Sequence, residues 1–312
     1  MCSEKIVTLC AGAGFRAGRL ARRFGDWPAA LCGRRLIEMK LAFSTNAFKQ
    51  VSLEESLREI AACGYAGVEI MADVPHAYPP HMDPRRRKAV ADLCRELRLT
   101  ITNLNAFTLF AQGDTWHPSW IEPDASARRR RIEHTLAAIR LARDLGAPGI
   151  SLEPGGPLPD GLQRTAAMDL YRQGLREVLP LADECRVNLL VEPEPHLLIE
   201  RPEEFEELIA GLSHPRLGLN FDIGHFYCVG VDPADAARRL APHIRHVHLE
   251  DIAASREHRH LVPGRGAVPL ERTLAALADA GYDGWITVEL YPYESQAREV
   301  AEEAFRYLGK WF

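Results

Sequence analysis

Four side chains able to bind a metal or move a proton sit at the ends of apolar runs in the second half of the chain. Glu192 closes "VNLLVE", Asp222 follows "RLGLNF", His248 lies in "IRHVHLE" and Glu289 lies in "WITVEL". Brought to one point, three carboxylates and an imidazole would repel one another unless a cation sat between them. A divalent ion resolves that conflict. An oxygen-rich set with one nitrogen suits Mn2+ first, then Mg2+, Co2+ or Zn2+. Such an ion beside two glutamates fits proton transfer next to a carbonyl. It would chelate the carbonyl oxygen and the adjacent hydroxyl, while one glutamate removes a proton and the other returns one, through a cis-enediolate. Any one of these residues alone has a plainer reading, as a helix cap or a satisfied core group. The weight rests on four of them at consecutive strand ends.

The elements that must position them follow from periodicity. From Met39 onward, short apolar runs alternate with helical patterns. The runs are "LAFST", "GVEIM", "LTITNLN", "GISLE", "VNLLVE", "RLGLNF", "IRHVHLE" and "WITVEL". Between them, segments such as "SLEESLREIAACG" and "LERTLAALADAG" carry apolar residues at i, i+3, i+4 and end in Gly. Eight such alternations predict an α/β fold, a (β/α)8 TIM barrel, over residues 39–312 as a single domain. No GxGxxG follows the first strand, so a dinucleotide fold lacks its main support. Residues 1–38 are Arg-rich and outside the pattern; they read as an N-terminal extension apart from the barrel. Long loops follow the third strand ("AFTLFAQGDTWHPSWIEPD") and the seventh ("DIAASREHRHLVPGRGAVP"). In this fold, loops after strands form the mouth where active sites lie. Alternation sends His246, His248, Thr287 and Glu289 to the axis and Val247, Leu249, Ile286, Val288 and Leu290 to the helices.

Other residues are substrate-binding candidates. Glu69 and Glu153 end the second and fourth strands, with Gly155 and Gly156 allowing close backbone approach after Glu153. His196 lies just past Glu192. In "SREHRHLVPGRG", Arg256, His258 and His260 could reach a substrate oxygen, His260 foremost, with Gly264 and Gly266 marking a bend. Phe107, Phe110, Trp116 and Trp120 suggest a lid over a sugar ring. His246 reads as core, and the "RRRR" run at 128–131 as a solvated helix face.

Composition sets limits. The 312 residues are 46% apolar and 26% charged, ordinary for a folded chain, and the net charge of −5 gives no electrostatic reason to expect nucleic acid as a partner. No apolar run reaches the roughly 20 residues of a membrane span. Seven cysteines without CxxC spacing fit a reducing, cytoplasmic setting. Homo-oligomerisation stays open.

The runs "LLVEPEPH", "FDIGH", "HVHLEDI", "HLVPGRGAV" and "ITVEL" also resemble the sugar-phosphate isomerase/epimerase family of xylose isomerase-like TIM barrels. That family is related to ketose 3-epimerases, inosose dehydratase and endonuclease IV. The resemblance covers most of residues 40–310. It implies that Glu192, Asp222, His248 and Glu289 bind one metal ion, and that Glu192 and Glu289 double as the acid–base pair. His225 matches the histidine of the family's DxxH, a substrate-side or second-metal group. The expected function is a metal-dependent isomerase or epimerase of a ketose, inosose or related small polyhydroxy carbonyl compound. Alternatives are a dehydratase or lyase of keto sugars, and an endonuclease IV-like hydrolase. The hydrolase needs histidines on the third and fourth strands, where this chain has Asn105 and Glu153, and an Asp-x-His where it has His258-Arg259-His260.

Overall fold

Each apolar run forms a strand, and the strands pair in chain order until the last closes on the first. The structure, a computed structural model, describes residues 39–312; the expected extension lies outside the described residues. Strands β1 (Lys40–Ser44), β2 (Gly67–Met71), β3 (Thr100–Asn105), β4 (Gly149–Leu152), β5 (Asn188–Val191), β6 (Leu217–Asp222), β7 (Ile244–Leu249) and β8 (Trp285–Val288) make one closed parallel barrel. Around it lie α1 (Leu53–Ala62), α2 (Pro84–Glu96), α3 (Ala125–Leu145), α4 (Arg164–Cys185), α5 (Pro202–Gly211), a short α6 (Ile223–Cys228), α7 (Pro233–Leu240), α8 (Leu270–Asp279) and α9 (Ala297–Leu308).

Helix starts follow capping chemistry. The Ser52 side chain accepts from the Glu55 N–H, Asp83 from Arg86, and Asp232 from Ala234 and Asp235. Pro84, Pro202 and Pro233 take first-turn positions where no N–H is needed. Helix α3 ends at Gly146, whose φ of 75° lies in the left-handed region.

The hydrophobic core is the layer between barrel and helices. Val68, Ile70, Leu189, Val191, Leu217, Leu219, Phe221, Val247, Leu249, Ile286 and Val288 belong to it. The alternate positions face the axis and are mostly small or polar: Ala42, Ser44, Glu69, Asn103, Ser151, Asn220, His246 and Thr287, all buried. Hydrogen bonds tie much of this polar interior together. Asn103 donates to Glu69 and Ser151 at 2.9 Å each, and His246 Nε2 lies 3.0 Å from Thr287 Oγ1.

Register brings the acid ends level. Asp222 pairs with His248 across β6 and β7, after a bulge between Leu219 and Asn220. The loops at 106–124 and 250–269 lie at the mouth, as expected. Asp251 shapes the second: its backbone pairs with Leu261, and its carboxylate accepts from Gly264 and Val268. Among the described residues no helix is long and apolar enough to cross a membrane.

A candidate metal and catalytic centre

The four strand-end residues converge. One ligand atom each from Glu192, Asp222, His248 and Glu289 lies within 4.8 Å of the other three, and all four residues are buried. His248 Nδ1 is 3.0 Å from Glu192 Oε1, 3.7 Å from Glu289 Oε1 and 3.9 Å from Asp222 Oδ2. Asp222 Oδ1 accepts from the His225 N–H at 2.8 Å, capping α6. Its Oδ2 is buried with no hydrogen-bond partner. A buried carboxylate oxygen left bare beside other carboxyl groups is what a divalent ion would satisfy. Asp222 therefore caps with one oxygen and leaves the other free.

His248 is oriented from behind. Its Nε2 lies 2.8 Å from Glu69 Oε2, and with that nitrogen donating, Nδ1 keeps its lone pair toward the acids. Burial alone would lower the His248 pKa, but the Glu69, Glu192 and Glu289 carboxylates outweigh it and raise it well above the usual histidine range. Burial raises the Glu192 and Glu289 carboxyls, with His248 opposing. Two amides aim Glu289: Asn46 Nδ2 and Asn105 Nδ2 donate to its Oε1 at 2.8 and 3.1 Å. Asn220 donates to Glu192 Oε2 at 2.8 Å.

Above the centre opens a cavity of about 460 Å3. Glu192 and Glu289 line it, whereas Asp222 and His248 lie beneath. His225, His258 and His260 line it as well, and their ring nitrogens form a second group able to hold a cation. His225 Nδ1 donates to the Pro193 carbonyl and His260 Nδ1 to the Glu289 carbonyl, both at 2.9 Å. The His260 Nε2 is then buried without a partner, while the His225 Nε2 lies 3.0 Å from His258 Nε2. Burial lowers the His225 and His258 pKa values to about 3.

Other expected site residues are placed differently. Glu69 does not line the cavity; it stands behind His248 and also meets His246 at 3.3 Å. Glu153 does not line it either. It is wholly buried, 3.5 Å from Arg131, and burial pushes its carboxyl up to about 8 against the pull of that guanidinium. The fourth strand ends beneath the long loop, so its carboxylate faces that loop's anchor. Arg256 is exposed outside the cavity; its guanidinium lies over the Tyr227 ring at 4.6 Å and donates to the Tyr227 carbonyl. His196 is at the rim, exposed, with φ 70°. Phe107, Phe110 and Trp116 line the cavity, but Trp120 is core, packed on Tyr171 at 5.6 Å. The "RRRR" face is solvated only in part, since Arg131 is buried and donates to the Phe107 and Pro118 carbonyls.

With this geometry in view, the comparisons with known proteins fall into one group. The model of the xylose isomerase-like TIM barrel family matches residues 57–311. The chain belongs to that family. A fructoselysine 3-epimerase of Shigella flexneri is 24% identical over 271 residues, covering 85% of this chain and 95% of its own. An inosose dehydratase of Lacticaseibacillus casei is 27% identical over 293 residues, covering 83% and 90%. Among solved structures of the family's fold, a D-tagatose 3-epimerase-like protein superposes with a TM-score of 0.72 at 23% identity, covering 87% of this chain and 99% of its own. The IOLI protein, which holds a zinc atom, superposes with a TM-score of 0.73 at 19% identity, covering 88% and 99%.

Within this xylose isomerase-like barrel, several site residues escaped the reading of the sequence. Glu194 lines the cavity and accepts from Trp116 Nε1 at 3.3 Å; burial and then the Glu192 charge raise its carboxyl well above the usual range. Glu250 is buried beside Asp222, and burial followed by the Asp222 charge raises it likewise. Asn46, Lys49 and Tyr291 also line the cavity. One signal would have found most of them. Asn46, Glu194, Glu250 and Tyr291 each stand two residues past an inward position, so strand alternation continued beyond the strand end points them inward.

Proposed function

We propose that this chain is a divalent-metal-dependent isomerase or epimerase of a ketose, inosose or related small polyhydroxy carbonyl compound, working by proton transfer. One observation carries the reading: of the four convergent ligands, only Glu192 and Glu289 also line the cavity. Asp222 and His248 can serve an ion alone, while the two glutamates reach an ion and a bound molecule alike. The ion would polarise a carbonyl and neutralise the acids around it. Mn2+ suits the oxygen-rich set first, with Mg2+, Co2+ and Zn2+ as alternatives. Glu289, aimed by Asn46 and Asn105, and Glu192, held by Asn220, would remove and return the proton next to the carbonyl. A cis-enediolate of the sugar would lie between those steps. The relatives' names, an epimerase and a dehydratase acting on sugar-like compounds, support this class. Loss of a hydroxyl in place of proton return makes the same site a dehydratase or lyase.

The hydrolase alternative has less support. Asn105 spends its amide on Glu289, and Glu153 is turned away toward Arg131. The roles of His225, His260 and His196 are proposed as contacts to substrate from the cavity wall.

The test is turnover of ketoses and inososes in D2O by the Mn2+-loaded protein. Deuterium should enter at the reacting carbon. Full retention of the substrate hydrogen during turnover would overturn the proton-transfer reading in favour of a hydride shift.

A further inference from the structure

The cavity is larger than a simple sugar needs. Even at a water molecule's share of liquid volume, about 30 Å3 per heavy atom, the twelve heavy atoms of a hexose take no more than roughly 360 Å3, and covalent bonding shrinks that figure. The cavity has about 460 Å3.

Its wall gathers acids and histidines on one side and, beside the polar Asn46, Asn105, Thr108 and Thr115, most of its apolar surface on the other. Glu192, Glu194, His225, His260 and Glu289 come from the β5–β8 side. Met71, Phe107, Phe110 and Trp116 come from β2 and the loop after β3. Phe110 and Trp116 are each 38% exposed at the rim, with the Lys49 ammonium 5.8 Å from the centre of the Phe110 ring. Lys49 is the one lysine or arginine among the described lining residues, and it pairs with Glu294 at 2.8 Å.

The aromatic side is held in place. The Asp73 carboxylate accepts from the Phe110 and Ala111 N–H groups and from the Thr108 hydroxyl. Buried Arg131 donates to the Phe107 and Pro118 carbonyls at 2.7 Å each, tying both ends of the loop to α3. The Trp116 indole donates to Glu194 across the cavity. A wall pinned at so many points is prebuilt for an occupant.

We infer that the substrate is a sugar carrying an apolar substituent of aromatic size, seated among Phe107, Phe110 and Trp116 while the sugar lies toward Glu192 and Glu289. This rests on the sugar-isomerase reading for the sugar half alone. The test compares phenyl and methyl β-D-glucopyranoside, which differ only in the substituent, by titration calorimetry on the Mn2+-loaded protein. The phenyl glycoside should bind roughly tenfold tighter or more, the scale of one stacked aromatic contact. Phe110→Ala and Trp116→Ala should each narrow that ratio. Equal binding of the two, no measurable binding of the phenyl glycoside, or an unchanged ratio in both variants overturns the inference. Solvent-deuterium exchange into the 3-keto forms of both glycosides is followed in parallel. A binding preference without exchange in either sinks the proton-transfer reading and leaves the seat standing. Exchange in both without a binding preference sinks the seat alone.

Discussion

Glu69 bears on the proposed metal centre without being one of its proposed ligands. Its Oε2, 2.8 Å from His248 Nε2, sets which imidazole nitrogen faces the acids. Glu69→Ala should weaken metal binding by roughly 10–100-fold, with Glu69→Gln restoring part of it through its amide oxygen. Chelator competition measures both, and an unchanged affinity in the alanine variant would show that His248 is oriented without it. Glu289 tests the chemistry more directly. Glu289→Gln keeps an oxygen at the same place and removes the base. It should retain most of its metal and lose roughly 10²–10⁴-fold in turnover. Near-normal turnover in that variant would exclude Glu289 as a proton carrier.

At the scale of elements, the turn from β6 into α6 carries the site. Asp222 must both cap the helix and reach the centre, and Glu250 from the end of β7 packs against it. Gly224 makes the room: a Cβ there would stand 1.8 Å from Glu250 Oε1 and 2.9 Å from Ile252 Cγ1. Two effects compete in Gly224→Ala. Helix propensity favours alanine by up to about 1 kcal/mol. The collision is with groups that have no solvent to move into, and such overpacking costs roughly 1–3 kcal/mol. The collision should win, lowering the urea midpoint and loosening metal binding together. A stabilised variant with normal metal affinity would show that Glu250 has slack.

At the scale of the whole molecule, pH acts through histidines folded in neutral form. His76 is buried among Ser56, Thr45 and the Phe48 carbonyl, and burial lowers its pKa from 6.5 to about 4. Burial lowers His134 similarly, to about 3. The unfolded chain binds these protons first as pH falls, so stability present above pH 6.5 is lost progressively, down to about pH 4 for His76 and about pH 3 for His134. For His76 the loss is at most about 3 kcal/mol. Urea titrations across that window should show the decline, and His76→Gln should make it shallower; an equal slope would place the acid sensitivity elsewhere. The closure of β8 on β1 makes a second prediction. All eight strands lie in residues 39–312, so a chain beginning at Met39 should fold and keep its metal, checked by thermal melting and metal analysis.

The barrel was legible in the sequence because eight short apolar runs, alternating with amphipathic helical patterns, admit few other folds. Four inward acids and imidazoles at adjacent strand ends were legible for the same reason: alternation specifies a face, and the fold specifies which ends meet. What stayed hidden depended on neighbours distant along the chain. Glu69 and Glu153 look alike as strand-end glutamates, yet one backs His248 and the other meets a buried arginine from α3. Arg256 and His258 are two residues apart in one loop, and the path of that loop around Asp251 puts only His258 at the cavity. A residue's type and spacing determine which way it points from its own strand. Only the packing of loops and helices from other parts of the chain decides whether it meets solvent, substrate or a second buried charge.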